Sequence, residues 1–255
     1  HTISRRQRQM CIRDSPTLRV ADVTGIAELA AAHGALLVVD NTFTTPAMFR
    51  PMEHGADIVI NSITKFLAGH SDVTLGYVAA RDPGLRTAIY DAAVTWGTTP
   101  SPFDCWLAER GLHTFDLRFE KAQATAAALA DALAGRDGIR QVIYPGRADH
   151  PHHNRAGTLF GGQFGNMLSF EIEGGRDEVN SFVMNAGGIP FAPTLGDVGC
   201  TLSHPASSSH RALTEEGRAA LGISEGYFRL SVGIEPPELV LAELDAALAA
   251  VRGES

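Results

Sequence analysis

The chain has 255 residues, 44% of them hydrophobic and 20% charged, and a formal net charge of −8 at pH 7. This composition is typical of a globular protein with a sizeable core. No apolar run approaches the length of a membrane span, and the acidic balance argues against nucleic acid as the main partner. Cys11, Cys105 and Cys200 are odd in number and far apart, which fits neither a disulfide framework nor a zinc site, so we expect a reducing, cytoplasmic setting.

Residues 1–15 differ from the rest of the chain. They carry four arginines against one acid, Asp14, and show neither a helical nor a strand period. An arginine-rich start is also a feature of transit peptides, but RQRQMCIRDS resembles translated sequencing-adapter sequence. We therefore interpret residues 1–15 as non-native. Because no Met begins the chain, we expect it to be a fragment of a longer protein.

From residue 16 onward, helical patterns alternate with apolar strands. Asp22 is well placed to cap the first helix, and turn signals bound the strands. This alternation predicts an α/β domain with a mainly parallel sheet covered on both faces. The predicted elements are a helix over 22–32, a strand over 35–40, a short helix over 48–54, and strands over 56–62 and 74–80.

The second half of the chain has a different pattern. A helical stretch over 83–134, broken near 96–102 by Gly and Pro, is long enough to leave one domain and enter another. Strands and helices then mix, which is typical of an α+β domain. We predict a first domain over 16–115 and a smaller one over 116–255. Its predicted strands cover 141–145, 166–172 and 227–233, and its helices 176–184, 214–221 and 238–251.

Three charged residues interrupt this apolar pattern at positions suited to chemistry. Asp40 closes one apolar strand, and Lys65 follows the next strand, just after Ser62 and Thr64. The carboxyl ends of parallel strands are where α/β sheets place ligands. Arg229 lies inside an apolar strand, where a guanidinium needs an anion, and a planar carboxylate fits its shape.

These residue types suit pyridoxal phosphate (PLP) chemistry. A lysine amine forms a Schiff base with the aldehyde, and a carboxylate at the pyridine nitrogen keeps the ring an electron sink. Hydroxyls hold the phosphate, and the arginine orients the substrate's α-carboxylate. From the residues alone, an Asp after a strand is more often a helix cap, and a lone Lys is more often a solvated surface residue.

A resemblance to a known family decides between these readings. GALLVVDNTFTTPAMFRPMEHGADIVINSITKFLAGHSD, residues 34–72, resembles the PLP-lysine motif of the cystathionine γ-synthase and methionine γ-lyase family. TLGDVGCTLSHPASSSH (194–210) and FRLSVGIE (228–235) are similar to the substrate-side motifs of that family, in the same order. SPFDCWLAERGLHTFDLR (101–118) is similar to its inter-domain helix region.

The resemblance implies an α/β protein of the fold-type-I PLP-dependent transferase class (aspartate-aminotransferase-like). Residues 16–115 would be the C-terminal part of the PLP-binding large domain, and 116–255 the small α+β domain. Lys65 would be the Schiff-base lysine and Asp40 the pyridinium partner. The residues expected to complete the site are Ser62 and Thr64 at the phosphate, Arg229 at the substrate carboxylate, and Thr194 near that carboxylate or near Lys65 through its backbone.

The implied reaction is γ-replacement or γ-elimination on a sulfur amino acid or an O-acyl-homoserine. Members that handle cystathionine often have a Glu where this chain has Pro193, which favours a smaller substrate. The implied assembly is a homo-oligomer, a dimer of dimers in the full-length parent, with no nucleic acid, membrane or metal partner. The histidines of HPHH (150–153) are interpreted as a solvated loop.

A departure from the family, and residues that the family shares with other enzymes, leave two alternatives open. About the first third of a family member is absent, including its ring-stacking tyrosine and its phosphate loop. We therefore expect the fragment alone to be inactive, and an assembly role for a truncated chain stays an alternative. A PLP aminotransferase of the same fold is a second alternative, since it uses the same Asp, Lys and Arg.

Overall fold

The computed structural model describes residues 8–11 and 16–254. The chain divides into two compact units, the first containing residues 8–11 and 20–116 and the second containing residues 16–19 and 117–254. Residues 16–19 thus lie with the second unit, although residues of the first unit come both before and after them in the chain. Among the described residues, no helix is both long and apolar enough to cross a membrane.

A four-stranded sheet forms the centre of the first unit, in the order β1-β2-β3-β4. The pairs β1–β2 and β2–β3 are parallel and β3–β4 is antiparallel, so the predicted mainly parallel sheet is confirmed. Residues 8–11 form a strand although no strand period predicts one, because ladder pairing uses the main chain and needs no side-chain alternation. The strands are β1 Arg8–Cys11, β2 Leu37–Asp40, β3 Ile58–Ser62 and β4 Gly76–Ala80.

Helices and short helical turns connect these strands. The side chain of Asp22 accepts a hydrogen bond from Gly25 N (3.1 Å), which confirms it as the cap of the first helix. The prediction of one helix over 48–54 is wrong, because Phe49 is extended and Pro51 disfavours a helical conformation at the residue before it. The helices are α1 Val23–Ala32, α2 Thr45–Met48, α3 Pro83–Trp96 and α4 Pro102–Leu112, with a 3₁₀ turn over Pro51–His54 and a π-helical turn over Ile63–Leu67.

The second unit is built on an antiparallel sheet in the order β5-β6-β8-β7. The rings of Phe170, Phe182 and Phe228 pack together in its core, with centroids 4.9–5.9 Å apart. This arrangement confirms the predicted α+β character. The elements are α5 Phe115–Leu133, β5 Ile139–Ile143, α6 His153–Leu159, β6 Met167–Ile172, α7 Arg176–Asn185, β7 Thr201–Ser203, α8 Glu215–Ala219, β8 Tyr227–Ser231 and α9 Pro237–Val251.

Helix α4 packs directly on the backbone that follows the π-helical turn. Gly111 is buried on this helix, and a Cβ added there would lie 2.5 Å from Ala68 O and 2.7 Å from Ala68 Cα. The contact is with backbone atoms, which cannot move aside as a flexible side chain would. Gly111 therefore permits a close approach that holds the 63–68 segment in place.

We predict that Gly111→Ala destabilises the protein by roughly 1–3 kcal/mol, the usual range for overpacking. Gly157→Ala is the control, because its site in α6 is helical and its nearest neighbour to an added Cβ is 4.0 Å away. That change should be neutral or stabilising by up to about 1 kcal/mol. Thermal unfolding of both variants checks this prediction. Equal unfolding temperatures would contradict the close approach of Gly111 to the Ala68 backbone.

Candidate active site

The parallel pairing of β2 and β3 brings the predicted cofactor residues to one edge of the first sheet. Val39 lies opposite Val59 and Asp40 opposite Ile60 in this register. Ser62 ends β3 two residues later, and the turn that carries Lys65 follows at once. Because parallel strands end on the same side, the carboxyl group and the lysine lie on neighbouring strand ends.

Asp40 is held in a defined orientation by the loop that follows it. Its Oδ1 accepts a hydrogen bond from the backbone N–H of Thr42 (2.9 Å), which makes an Asx turn. A carboxylate that is fixed through one oxygen presents the other in a set direction. This geometry suits a group that must meet a ring nitrogen.

Lys65 lies in the middle of the π-helical turn. Ala68 N donates to Ile63 O and Gly69 N donates to Lys65 O, both at 2.8 Å, which close the turn around the lysine. Lys65 itself departs from helical angles, with φ −82° and ψ −126°. Phe66 and Leu67 are buried beside it, while Lys65 is half-buried. The two apolar side chains therefore anchor the turn and leave the lysine partly accessible.

Thr64 is tied to the residues that lead into β4. Its Oγ1 donates to Leu75 O (3.1 Å) and accepts from Leu75 N (2.9 Å). For Thr64 to donate to a phosphate, its hydroxyl hydrogen would have to turn away from the Leu75 carbonyl. The expectation that Thr64 touches a phosphate stays a prediction, and its hydroxyl clamps the turn in this structure.

The predicted substrate-side residues lie together in the second unit. Arg229 is only 7% exposed on β8, and its Nη2 donates to the carbonyl oxygens of Thr194 (2.9 Å) and Pro193 (3.4 Å). Burial lowers the pKa of Arg229 to about 10, so the guanidinium stays charged at neutral pH but is poorly solvated. An anion that enters this environment would be attracted strongly.

The loop after Thr194 is fixed to the same strand. Gly196 N donates to Ser231 Oγ at 2.9 Å. Farther along, Cys200 N donates to Glu235 Oε1 (2.5 Å) and the thiol donates to Glu235 Oε2 (3.3 Å). Both ends of the 194–200 segment are therefore held by groups on or just after β8.

The interpretation of the 150–153 histidines as a solvated loop is wrong, because His150 is buried and His153 begins helix α6. His150 Nδ1 accepts from His152 N at 3.1 Å, and His153 Nδ1 donates to Pro145 O at 2.9 Å. The His153 ring stacks on Phe164 with centroids 5.4 Å apart. Across residues 8–11 and 16–254, His, Cys, Asp and Glu side chains form no group of three or more that could hold a metal ion.

Sequence reasoning missed Thr42. Its Oγ1 accepts a hydrogen bond from Ser62 N (2.9 Å), while its own N–H binds Asp40. The order Asp-Asn-Thr at a strand end is a signal for an Asx turn and could have identified the first contact. The second contact joins two segments 20 residues apart, and no local pattern predicts it.

The first unit has an α/β fold with a mainly parallel sheet, and comparison with known proteins places the chain in the fold-type-I PLP-dependent class. The model of the family described as "Cys/Met metabolism PLP-dependent enzyme" matches residues 13–249. The chain belongs to this family.

Three relatives show the range of the family. Cystathionine beta-lyase MetC of Bacillus subtilis is 41% identical over 92% of this chain and 60% of its own length. L-methionine gamma-lyase of Pseudomonas putida is 39% identical over 92% of this chain and 59% of its own length. The crystal structure of cystathionine gamma synthase from Xanthomonas oryzae pv. oryzae, in complex with aminoacrylate and cysteine, matches with a TM-score of 0.91 and 43% identity over 97% of this chain and 64% of that one. The chain thus spans about 60% of the length of its curated relatives.

We predict that Cys200 resists alkylation in the folded protein. Burial, aided by the neighbouring Glu235, raises the pKa of its thiol to about 12, whereas Cys105 is exposed. Thiolate is the reactive form, so at pH 8 iodoacetamide should label Cys105 and spare Cys200 until denaturant is added. Peptide mass mapping checks this, and prompt labelling of Cys200 in the native state would contradict it.

Proposed function

We propose that this chain is part of an enzyme that binds PLP covalently at Lys65 and catalyses γ-elimination or γ-replacement on a sulfur amino acid or an O-acyl-homoserine. One observation carries the proposal: the register of β2 and β3 puts the Asp40 carboxylate and the Lys65 turn on neighbouring strand ends. Because the chain spans about 60% of its curated relatives, the activity is proposed for the whole protein.

The residues present fit the cofactor by their chemistry. An oriented carboxylate suits a pyridinium nitrogen, a half-buried lysine suits an aldehyde, and Ser62 offers a hydroxyl for a phosphate. Thr64 would offer a second one after its hydroxyl hydrogen turned away from Leu75 O. Asp40 and Ser62 are joined through Thr42, so their spacing is fixed before any ligand arrives. Ser62 and Thr64 as phosphate ligands are part of this proposal.

When it is bound, PLP supplies an electron sink that stabilises negative charge at the substrate's Cα. Asp40 would keep a proton on the ring nitrogen, because an ionised carboxylate favours the protonated form. The Lys65 amine would take the proton from Cα and return it at a neighbouring position, since it lies on the turn beside the same edge. The π-helical turn fixes the backbone position from which the Lys65 side chain extends.

Arg229 would bind the substrate's α-carboxylate. Its guanidinium is buried and its pKa is lowered, so a carboxylate partner would restore interactions that it lost with water. Its bonds to the carbonyls of Pro193 and Thr194 orient the guanidinium. In this proposal Thr194 contributes through its backbone.

The reaction class is tested by feeding two sets of substrates to the protein expressed from its complete gene. We expect an O-acyl-homoserine with sulfide to give homocysteine, and methionine to give 2-oxobutanoate and ammonia. An amino acid with a keto acid tests the aminotransferase alternative. Transamination without any γ-product would defeat the proposal. Assembly into oligomers without PLP uptake would favour a purely structural role.

β-Elimination is a second candidate, because one of the similar relatives is named a cystathionine beta-lyase. Cystathionine separates the two by the keto acid released: attack at the β-carbon gives pyruvate, and attack at the γ-carbon gives 2-oxobutanoate. Pro193 has no side-chain group that could bind a distal ammonium, so we propose a substrate smaller than cystathionine. A lower KM for cystathionine than for methionine or O-acyl-homoserines would argue against this preference.

For the whole protein we also propose a homo-oligomer, a dimer of dimers in the cytoplasm. Helix α3 has no buried residue, and its Tyr90 and Trp96 are 68% and 83% exposed, which supports an interface on this helix. Light scattering after size-exclusion chromatography would test the oligomer, and a monomer at micromolar concentration would refute it.

We predict that Arg229→Lys raises KM for the amino-acid substrate by roughly 10- to 100-fold, because a lysine cannot make the paired hydrogen bonds of a guanidinium. PLP binding should be unchanged, since the proposed cofactor residues lie in the first unit. Arg140→Lys is the control, being an arginine of the same sheet whose side chain is 55% exposed. An unchanged KM in Arg229→Lys would show that Arg229 does not bind the substrate carboxylate.

A further inference from the structure

Thr42 lies between two groups that the proposed function assigns to opposite ends of the cofactor. Its backbone N–H donates to Asp40 Oδ1 and its Oγ1 accepts from Ser62 N, each at 2.9 Å. Thr42 is 8% exposed, so both bonds are largely shielded from water. One residue thus connects the acid at the end of β2 with the start of the lysine turn after β3.

The loop that carries Thr42 has other anchors that do not reach these groups. Asn61 Nδ2 donates to Asn41 O (3.0 Å), and Asn41 N donates to Ile60 O (2.8 Å). Asn41 Nδ2 also donates to Phe49 O at 2.9 Å. These bonds attach the loop to β3 and to the chain beyond α2. Loss of the Thr42 hydroxyl would therefore leave the loop attached and break only the link to Ser62.

We propose that Thr42 is a positioning residue that sets the spacing between the Asp40 carboxylate and the Ser62–Lys65 segment. This inference rests on the proposed function. The PLP ring is rigid, with its nitrogen on one side and its phosphate arm and aldehyde elsewhere on the same ring. A receptor for such a molecule binds best when its separate parts are already correctly spaced. Thr42 provides that spacing through one short bridge.

The test is Thr42→Val, which keeps the shape of the side chain and the bond from residue 42 N–H to Asp40 but removes the acceptor for Ser62 N. A buried N–H without an acceptor is costly, so we expect the PLP dissociation constant of the intact protein to rise about tenfold. We also expect a shift in the pH midpoint of the visible band of lysine-bound PLP, because the lysine turn moves relative to Asp40. Thr42→Ser retains the hydroxyl and should restore both values.

Thr44→Val is the matched control. Thr44 lies in the same loop, is fully buried, and its Oγ1 donates to Asn41 Oδ1 at 2.5 Å, within the loop. The same substitution there should lower stability but leave PLP affinity and the pH midpoint near wild type. If Thr42→Val fails to fold, Thr42→Ala removes the hydroxyl without adding a methyl group and carries the same expectation.

Three outcomes would overturn the inference while the proposed function stands: wild-type affinity in Thr42→Val, no restoration by Thr42→Ser, or an equal loss in Thr44→Val. The last would mean that general loosening of the loop is responsible. If the wild-type protein itself took up no PLP, the proposed function would fail, and the role of Thr42 with it.

Discussion

The parallel pairing of β2 with β3 is the constraint on which the rest of the candidate site depends. This pairing fixes Asp40 opposite Ile60, and therefore fixes where the chain leaves the sheet toward Ser62 and Lys65. A slip of one residue would turn Asp40 to the other face of the sheet. Leu37, Val38 and Val39 are all buried, so both faces of β2 are covered, and a slip would bring the Asp40 carboxylate toward a buried apolar position at a large cost in free energy.

Three further sets of contacts hold the residues of the site in place. Gly111 lets α4 lie against the backbone of Ala68, and Thr64 clamps the other end of the turn to Leu75. Thr42 then joins the turn to Asp40. The lysine segment is thus supported from a helix, from the approach to β4 and from the loop after β2. Few of these supports involve the residues that would carry the chemistry.

The sequence predicts the parts of the fold that local patterns determine. Apolar periods and turn residues located α1, β2, β3 and the break after Trp96, where Gly97 takes a φ of 67°. Strand β7 was missed because Thr201–Ser203 is too short to show a period. The helix expected over 48–54 failed because the conformational preference before Pro51 outweighed the helical pattern.

In the candidate site, too, local sequence patterns reveal some residues and miss those whose roles depend on tertiary contacts. Asp40, Lys65 and Arg229 stand out in the sequence because each is a charge at or within an apolar strand. Thr42 and Gly111 do not stand out, because their roles arise from contacts with residues 20 and 43 positions away. Tertiary contacts of that kind leave no trace in a single sequence, and only coordinates reveal them.

The central claim is that Lys65 carries the cofactor, and the chain suits a direct test because it has two lysines, Lys65 and Lys121. Lys121 is exposed on α5 and serves as an internal reference. The protein expressed from its complete gene would be reconstituted with PLP, reduced with borohydride, and mapped by peptide mass spectrometry. The account predicts the reduced pyridoxyl phosphate on Lys65 and an unmodified Lys121. Covalent PLP on Lys121 or on any other lysine of the complete protein, with Lys65 unmodified, or no covalent PLP at all, would contradict it.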